Sequence, residues 1–211
     1  IQILMSRKLL QNSLLQWVRD HRVHHKYSDT EKKDQVLARG KQMDMSDITG
    51  DPILRMYIFK HFAYFKLMLC FVLPTTMSML LWGENWRCAI AWQCFLRFLI
   101  MFHCELTVNR LAHAYGYKPY NKNIVPSENR FVATVTLGEG WHNYHHMFPF
   151  DYKAAEHFDP FNWCTYFINF FRSIGWAHDF REATPEMINA TAKRLGDGTP
   201  VHNPVDITNS D

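Results

Sequence analysis

Two long apolar runs dominate the pattern of hydrophobic and polar positions. The first, Phe62 to Trp82, reads FAYFKLMLCFVLPTTMSMLLW and holds one charge, Lys66, near its start. The second, Cys88 to Val108, reads CAIAWQCFLRFLIMFHCELTV and is interrupted by Arg97, His103 and Glu105. Roughly 20 residues of helix cross the ~30 Å hydrocarbon layer of a bilayer, so residues 62–82 and 88–108 are each predicted to be a transmembrane helix. Lys66 lies close enough to one end to reach the interface, and Pro74 is tolerated in a membrane helix. Arg97 and Glu105 are costly against lipid and are expected to face protein or a cavity. A buried hairpin inside a soluble helical protein is the alternative the pattern leaves open.

Only Gly83-Glu84-Asn85-Trp86-Arg87 separates the runs, which makes the two helices antiparallel and returns both outer flanks to one side. Trp82 and Trp86 are placed as interfacial anchors. The flanks carry nearly all the Lys and Arg, so the positive-inside rule puts them in the cytosol.

Outside the hairpin the pattern is weaker. Residues 1–20 mix apolar and polar positions at helical spacing, and residues 26–52 read as a polar connector. Gly116, Pro119, Asn121, Asn123 and Pro126 mark a loop region. Residues 161–176 (FNWCTYFINFFRSIGW) form an aromatic amphipathic stretch, either a core helix or a helix lying in the membrane interface. Residues 193–211 are expected to be a flexible tail. The fold class is therefore all-α, an integral membrane hairpin plus a cytosolic helical cap. Composition adds exclusions. The net charge is only +3 and no dense Lys/Arg block occurs, which argues against a nucleic-acid partner. Five cysteines, an odd number with no C-x-x-C pair, fit neither a disulfide framework nor a zinc ribbon.

The candidate chemistry lies in the histidines. Of 12, seven fall in three places. His21, His24 and His25 follow Asp20 in an H-x-x-H-H pattern, and His142, His145 and His146 repeat it in GEGWHNYHHMF. His113 follows Asn109 at a spacing of four. On a helix, positions i, i+3 and i+4 share one face, so each triple projects its imidazoles in a common direction. Imidazole-rich ligation suits zinc, copper, iron or nickel, and seven imidazoles exceed what one tetrahedral ion needs, so two metals are expected. Asp20 and Glu139 are placed to accept hydrogen bonds from non-ligating ring nitrogens. His61, His103, His157, His178 and His202 lack such context and are read as bystanders.

The strings DHRVHHKYSDT and GEGWHNYHHMFPFDY resemble the second and third histidine boxes of the membrane-bound fatty acid desaturase family. Within it the chain is most similar to the acyl-CoA Δ9-desaturases (stearoyl-CoA desaturases) of insect type. The resemblance extends from Gln11-Asn12 through GYKPYNKNIVPSENRF to RLGDGTP, so residues 1–211 are taken as part of one desaturase domain. It implies a multi-pass protein of the endoplasmic reticulum membrane with its boxes on the cytosolic face. It also implies O2-dependent desaturation of stearoyl- or palmitoyl-CoA at C9–C10 to the cis product, with electrons from cytochrome b5. By resemblance, His21, His24, His25, His113, His142, His145 and His146 are ligands of a di-iron (two Fe2+) centre, and Asn109 reaches a metal through water. Gln11, Asn12, Trp17, Arg19 and Asp20 match residues near the acyl-CoA carbonyl and head group. No side chain beyond the metal ligands is implied as catalytic.

The chain departs from the family pattern in three places. The family's first box, H-x-x-x-x-H, is missing, which is read as an N-terminally incomplete sequence. After His25 the family's D-P-H-N and R-G-F-F-F-S-H segments are missing, an internal deletion that takes substrate-contacting residues with it. Glu105-Leu106 and NRLAH stand where the family has Thr-Trp and N-S-A-A-H. Two further readings therefore stay open: a catalytically inactive desaturase-like protein that binds acyl-CoA or a partner desaturase, and a related di-iron hydroxylase.

Overall fold

In the computed structural model, residues 14–27, 43–52, 54–55, 60–156 and 160–201 are described. Among them the protein is all-α; the only sheet-like pairing is two isolated antiparallel bridges, Tyr117 to Glu128 and Glu128 to Trp141. Two compact units divide the chain, Ile1–His103 and Cys104–Asp211.

In the first unit, helix α1 (Leu14–Tyr27) carries the box of His21, His24 and His25 in its last turns. Helix α2 (Ser46–Thr49) is a single turn tied to α1 by one cation. Arg22 forks onto the Asp47 carboxylate (3.0 and 2.6 Å) and also donates to the Asp44 carbonyl (2.8 Å). That contact holds the Asp47 carboxyl below the usual range.

The two apolar runs form helices α3 (His61–Trp82) and α4 (Trp86–Ala114), both long and apolar enough to cross a membrane. Only 11% of the most apolar window of α3 and 6% of that of α4 is buried. A core helix of a soluble protein would hide most of that surface; here Leu80 is 83% exposed. Gly83 takes the left-handed conformation (φ 67°) that ends α3, and Asn85 caps α4 by accepting from the Arg87 N–H (3.0 Å).

Arg97 shows how a charge survives in such a hairpin. Each helix contains a π-helical stretch, Met68–Val72 in α3 and Ala91–Leu96 in α4. Such stretches disturb the regular carbonyl pairing. The Arg97 guanidinium donates to the Cys70 carbonyl in the first and to the Gln93 carbonyl in the second. It faces protein, as its cost against lipid requires. Helix α4 outruns the apolar run of 88–108: with no breaker before Gly116 it continues through Asn109 and His113 to Ala114.

In the second unit, Val108, Leu111 and Ala112 of α4 pack on Val132 of helix α5 (Arg130–Val135). Ser127 closes the end of α4, its N–H and hydroxyl both donating to the Ala112 carbonyl (2.7 Å each). Helix α6 (His142–Met147) carries the third box, and helix α7 (Trp163–Ser173) is the aromatic stretch. Helix α8 (Pro185–Leu195) begins with a Thr184 cap and Pro185 and ends with Lys193 and Arg194, as its dipole favours. The principal core joins Tyr120, Tyr144, Phe148, Ala183 and Ile188. The sequence places a flexible tail from residue 193. Lys193–Leu195 form the last turn of α8, and Asp197 accepts from the Lys118 N–H (2.6 Å) and the Thr199 N–H (2.8 Å). Residues 202–211 lie outside the described part.

Candidate metal centre

The two H-x-x-H-H boxes fold to the same internal geometry. In α1 the His21 and His25 rings are 4.6 Å apart at 73°, and His21 and His24 are 6.2 Å apart at 40°. In α6 the His142 and His146 rings are 4.6 Å apart at 74°, and His142 and His145 are 6.2 Å apart at 31°. The spacing i, i+4 brings one pair in each box edge to face, and i+3 sets the third ring beside them. Helical geometry sets the Cβ spacing in both boxes, and the rings repeat the same separations in each.

The donor chemistry suits a metal. His21 Nε2 and His25 Nε2 lie 3.0 Å apart, two imidazole nitrogens converging where one cation can be shared. His142 and His146 likewise offer ligand nitrogens within 4.8 Å of each other. Burial first, then the like charges of His21 and His24, push His25 down to about 3, so its ring is neutral at physiological pH, as a ligand must be. His113, at the end of α4, comes within 4.9 Å of His142, ring to ring, and joins the third box.

The other residues singled out by sequence are placed as follows. Trp17 stacks flat on His21 (4.9 Å, 12°), fixing that ring from one side. Arg19 and Asp20 form a half-buried ion pair with each other (2.8 Å). Asn109 is exposed on α4, and its amide donates to the Glu105 carbonyl one turn back (3.0 Å). Gln11 and Asn12 lie outside the described residues.

Four residues that carry the third box, Asn143, Glu128, Tyr144 and Asp151, escaped the sequence reading. Asn143 is fully buried between the box histidines and uses its whole amide. Its oxygen accepts from the Tyr120 and Asn121 N–H groups (3.0 and 3.1 Å), and its nitrogen donates to the Asn121 and Pro126 carbonyls (3.0 and 2.9 Å). Trp141, the residue before α6, gives no side-chain cap. Glu128 supplies one from a distance: the Tyr144 N–H in the first turn of α6 donates to its Oε1 (2.6 Å). Complete burial raises the Glu128 carboxyl to about 8, against the lowering effect of the backbone N–H groups of Tyr144 and Asn143. Tyr144 in turn donates its hydroxyl to Asp151 (2.7 Å), while Asp151 also accepts from the Ala183 N–H (2.9 Å). Glu128 has no local sequence signal, because its partner is 16 positions away.

Gly140 explains the glycine two places before the box. A methyl group there would stand 2.1 Å from the Ala133 nitrogen and 2.3 Å from the Asn129 oxygen, both backbone atoms that cannot step aside. Gly140→Ala is expected to lower stability by about 1–3 kcal/mol or more, the range for forcing atoms into a packed site. Thermal denaturation checks this; an unchanged Tm would contradict the close approach.

No protein-family model matches the chain. Individual relatives do. The chain is 43% identical to an acyl-CoA Delta(11) desaturase of Choristoneura rosaceana, over 95% of this chain and 66% of the relative. It is 41% identical to an acyl-CoA Delta(11) desaturase of Spodoptera littoralis, over 99% of this chain and 69% of the relative. It is 38% identical to an acyl-CoA Delta-9 desaturase of Acheta domesticus, over 94% of this chain and 61% of the relative. With its histidine groups and apolar hairpin, the chain belongs to the acyl-CoA desaturase family. It spans about two thirds of the length of these relatives. The S. littoralis match runs over 237 aligned positions, more than the 211 residues of this chain, so that relative carries residues inside the aligned stretch with no counterpart here.

Proposed function

We propose that the protein is an acyl-CoA desaturase that removes two hydrogens from a saturated acyl-CoA, using O2 and electrons from cytochrome b5. The observation that carries this reading is the pair of H-x-x-H-H boxes with matching ring geometry in a member of this family. His21, His24, His25, His113, His142, His145 and His146 are proposed as ligands of two iron ions. Bound iron would supply the redox chemistry that O2-dependent hydrogen removal needs. The chain's own residues do the rest. Trp17 and Asn143 fix the orientation of the boxes. Asn109 is proposed to hold a water next to the metal. Arg19 and Asp20, with Trp17, Gln11 and Asn12, are proposed to meet the acyl-CoA head group. Helices α3 and α4 are proposed to cross the endoplasmic reticulum membrane and to leave both boxes on its cytosolic face, where the basic flanks belong.

The double bond is proposed at C9–C10, the position that the resemblance of the box strings implies. Relatives named for Delta-11 and for Delta-9 activity both match this chain, so product analysis decides the position. Expression in yeast lacking its own desaturase is expected to restore cis-monounsaturated acyl chains, with the double bond located by mass spectrometry. A C11 product would move the regiochemistry but leave the activity. Absence of any product from iron-loaded protein would favour a second reading, a silent acyl-CoA-binding relative. The internal residues that the S. littoralis relative has and this chain lacks favour that reading.

A further inference from the structure

Helix α7 carries an exposed aromatic stripe that the desaturation chemistry does not use. Trp163, Tyr166, Phe167 and Phe170 recur at i, i+3, i+4 and i+7, one face of the helix, and are 57%, 43%, 49% and 58% exposed; Ile174, just past the end of the helix, is 46% exposed. The contacts that α7 makes through Thr165, Asn169 and Arg172 lie on the opposite face. Thr165 donates its hydroxyl to the Lys153 carbonyl (3.3 Å), Asn169 accepts from the Tyr152 hydroxyl (3.2 Å), and Arg172 lies over the Phe180 ring (4.8 Å). The stripe is thus outward-facing by construction. Four half-exposed aromatics and an isoleucine amount to roughly 500 Å² of apolar surface, as much as the largest patch on an ordinary soluble monomer.

What covers the stripe follows from where α7 is anchored. The Cys104 thiol, on the part of α4 that continues the apolar run, donates to the Val135 carbonyl at the end of α5 (3.5 Å). Beyond α5 the chain turns at Gly138, against which Asn162, the cap of α7, is packed at 3.0 Å from the position a Cβ would take. The start of α7 is therefore linked through one short helix and one turn to α4. Phe131, Val135 and Leu137 on that link are themselves exposed. At 11 residues α7 is far too short to span a bilayer. Trp and Tyr on its outward face are the residue types that favour the headgroup level.

We infer that α7 lies in the plane of the membrane interface with its Trp163–Phe170 stripe in lipid, a third membrane contact besides α3 and α4. The inference rests on the reading of α3 and α4 as membrane-spanning. It anchors the segment that follows the third box, so that lipid contact steadies the turn at Gly138 that precedes that box.

Photolabelling of the whole protein in phosphatidylcholine nanodiscs, using a lipid with a diazirine in its acyl chain, tests it. Labelled residues are mapped by mass spectrometry. Label is expected on α3, on α4 and on the outward stripe of α7, with none on α8. Phe167→Glu combined with Phe170→Glu is expected to bring α7 labelling to background without changing that of α3. Label on α3 but none on wild-type α7 would overturn the inference while sparing the membrane reading. Label on neither would overturn both. Crosslinks between α7 helices of two copies, with no lipid label on α7, would overturn it in favour of a protein contact.

Discussion

Replacing His146 with alanine is expected to strip metal from the protein and to abolish its cis-monounsaturated product. His146 is buried, and its ring stands 4.6 Å from His142 in the pair that the i, i+4 spacing creates. His146 stands in the last turn of α6, and its removal takes away one of the nitrogens proposed to hold metal. Loss of a supporting hydrogen bond around a metal typically costs roughly 10–100-fold in affinity, and loss of a ligand is expected to exceed that. His178→Ala supplies the control, because His178 is a surface residue paired only locally with Asp179 (2.6 Å). It should leave metal content and product unchanged. Wild-type metal content in the His146→Ala protein would remove the third box from the site.

The second large effect is expected at Glu128. Glu128→Ala leaves the Tyr144 N–H buried without its acceptor and opens a cavity under α6. The loss is on the order of 3 kcal/mol, since an unsatisfied buried donor alone costs about 1–3 kcal/mol. Glu128→Gln keeps the shape and an acceptor oxygen, and is expected to recover most of that loss. The two variants also separate through pH. With its carboxyl raised to about 8 in the fold against an ordinary value of 4.5, Glu128 keeps a proton that the unfolded chain releases. Its contribution is therefore fully present below 4.5 and is lost as pH rises through about 8. Chemical denaturation across that window should show the decline in the wild type and a flatter profile in Glu128→Gln. Equal profiles would show that Glu128 is ionised in the fold.

The features legible in the sequence share one property: each is set by neighbours along the chain. The apolar runs announce α3 and α4 because membrane helices need only length and composition. The boxes announce themselves because i, i+3 and i+4 fix a face whatever the tertiary fold. Arg97 was legible only in half. Its cost against lipid required a protein partner, but that partner, the Cys70 carbonyl, is offered by a π-helical stretch that no residue type signals. Glu128 and Asn143 were not legible, because each joins α6 to a stretch 16 to 23 positions away, and that meeting depends on the course of the whole second unit. Helix α7 could not be assigned to core or interface from periodicity. An aromatic stripe buries equally well in either, and only its exposure sets α7 apart from a core helix.

The central claim is that the histidine boxes hold iron for redox chemistry. Metal analysis of the purified protein, read together with its Mössbauer spectrum after 57Fe enrichment, tests it most directly. Close to two iron ions per chain are expected, with nitrogen-ligated signatures that disappear in His146→Ala. Zinc in place of iron, or a protein that folds with its histidines intact and holds no metal, would contradict it.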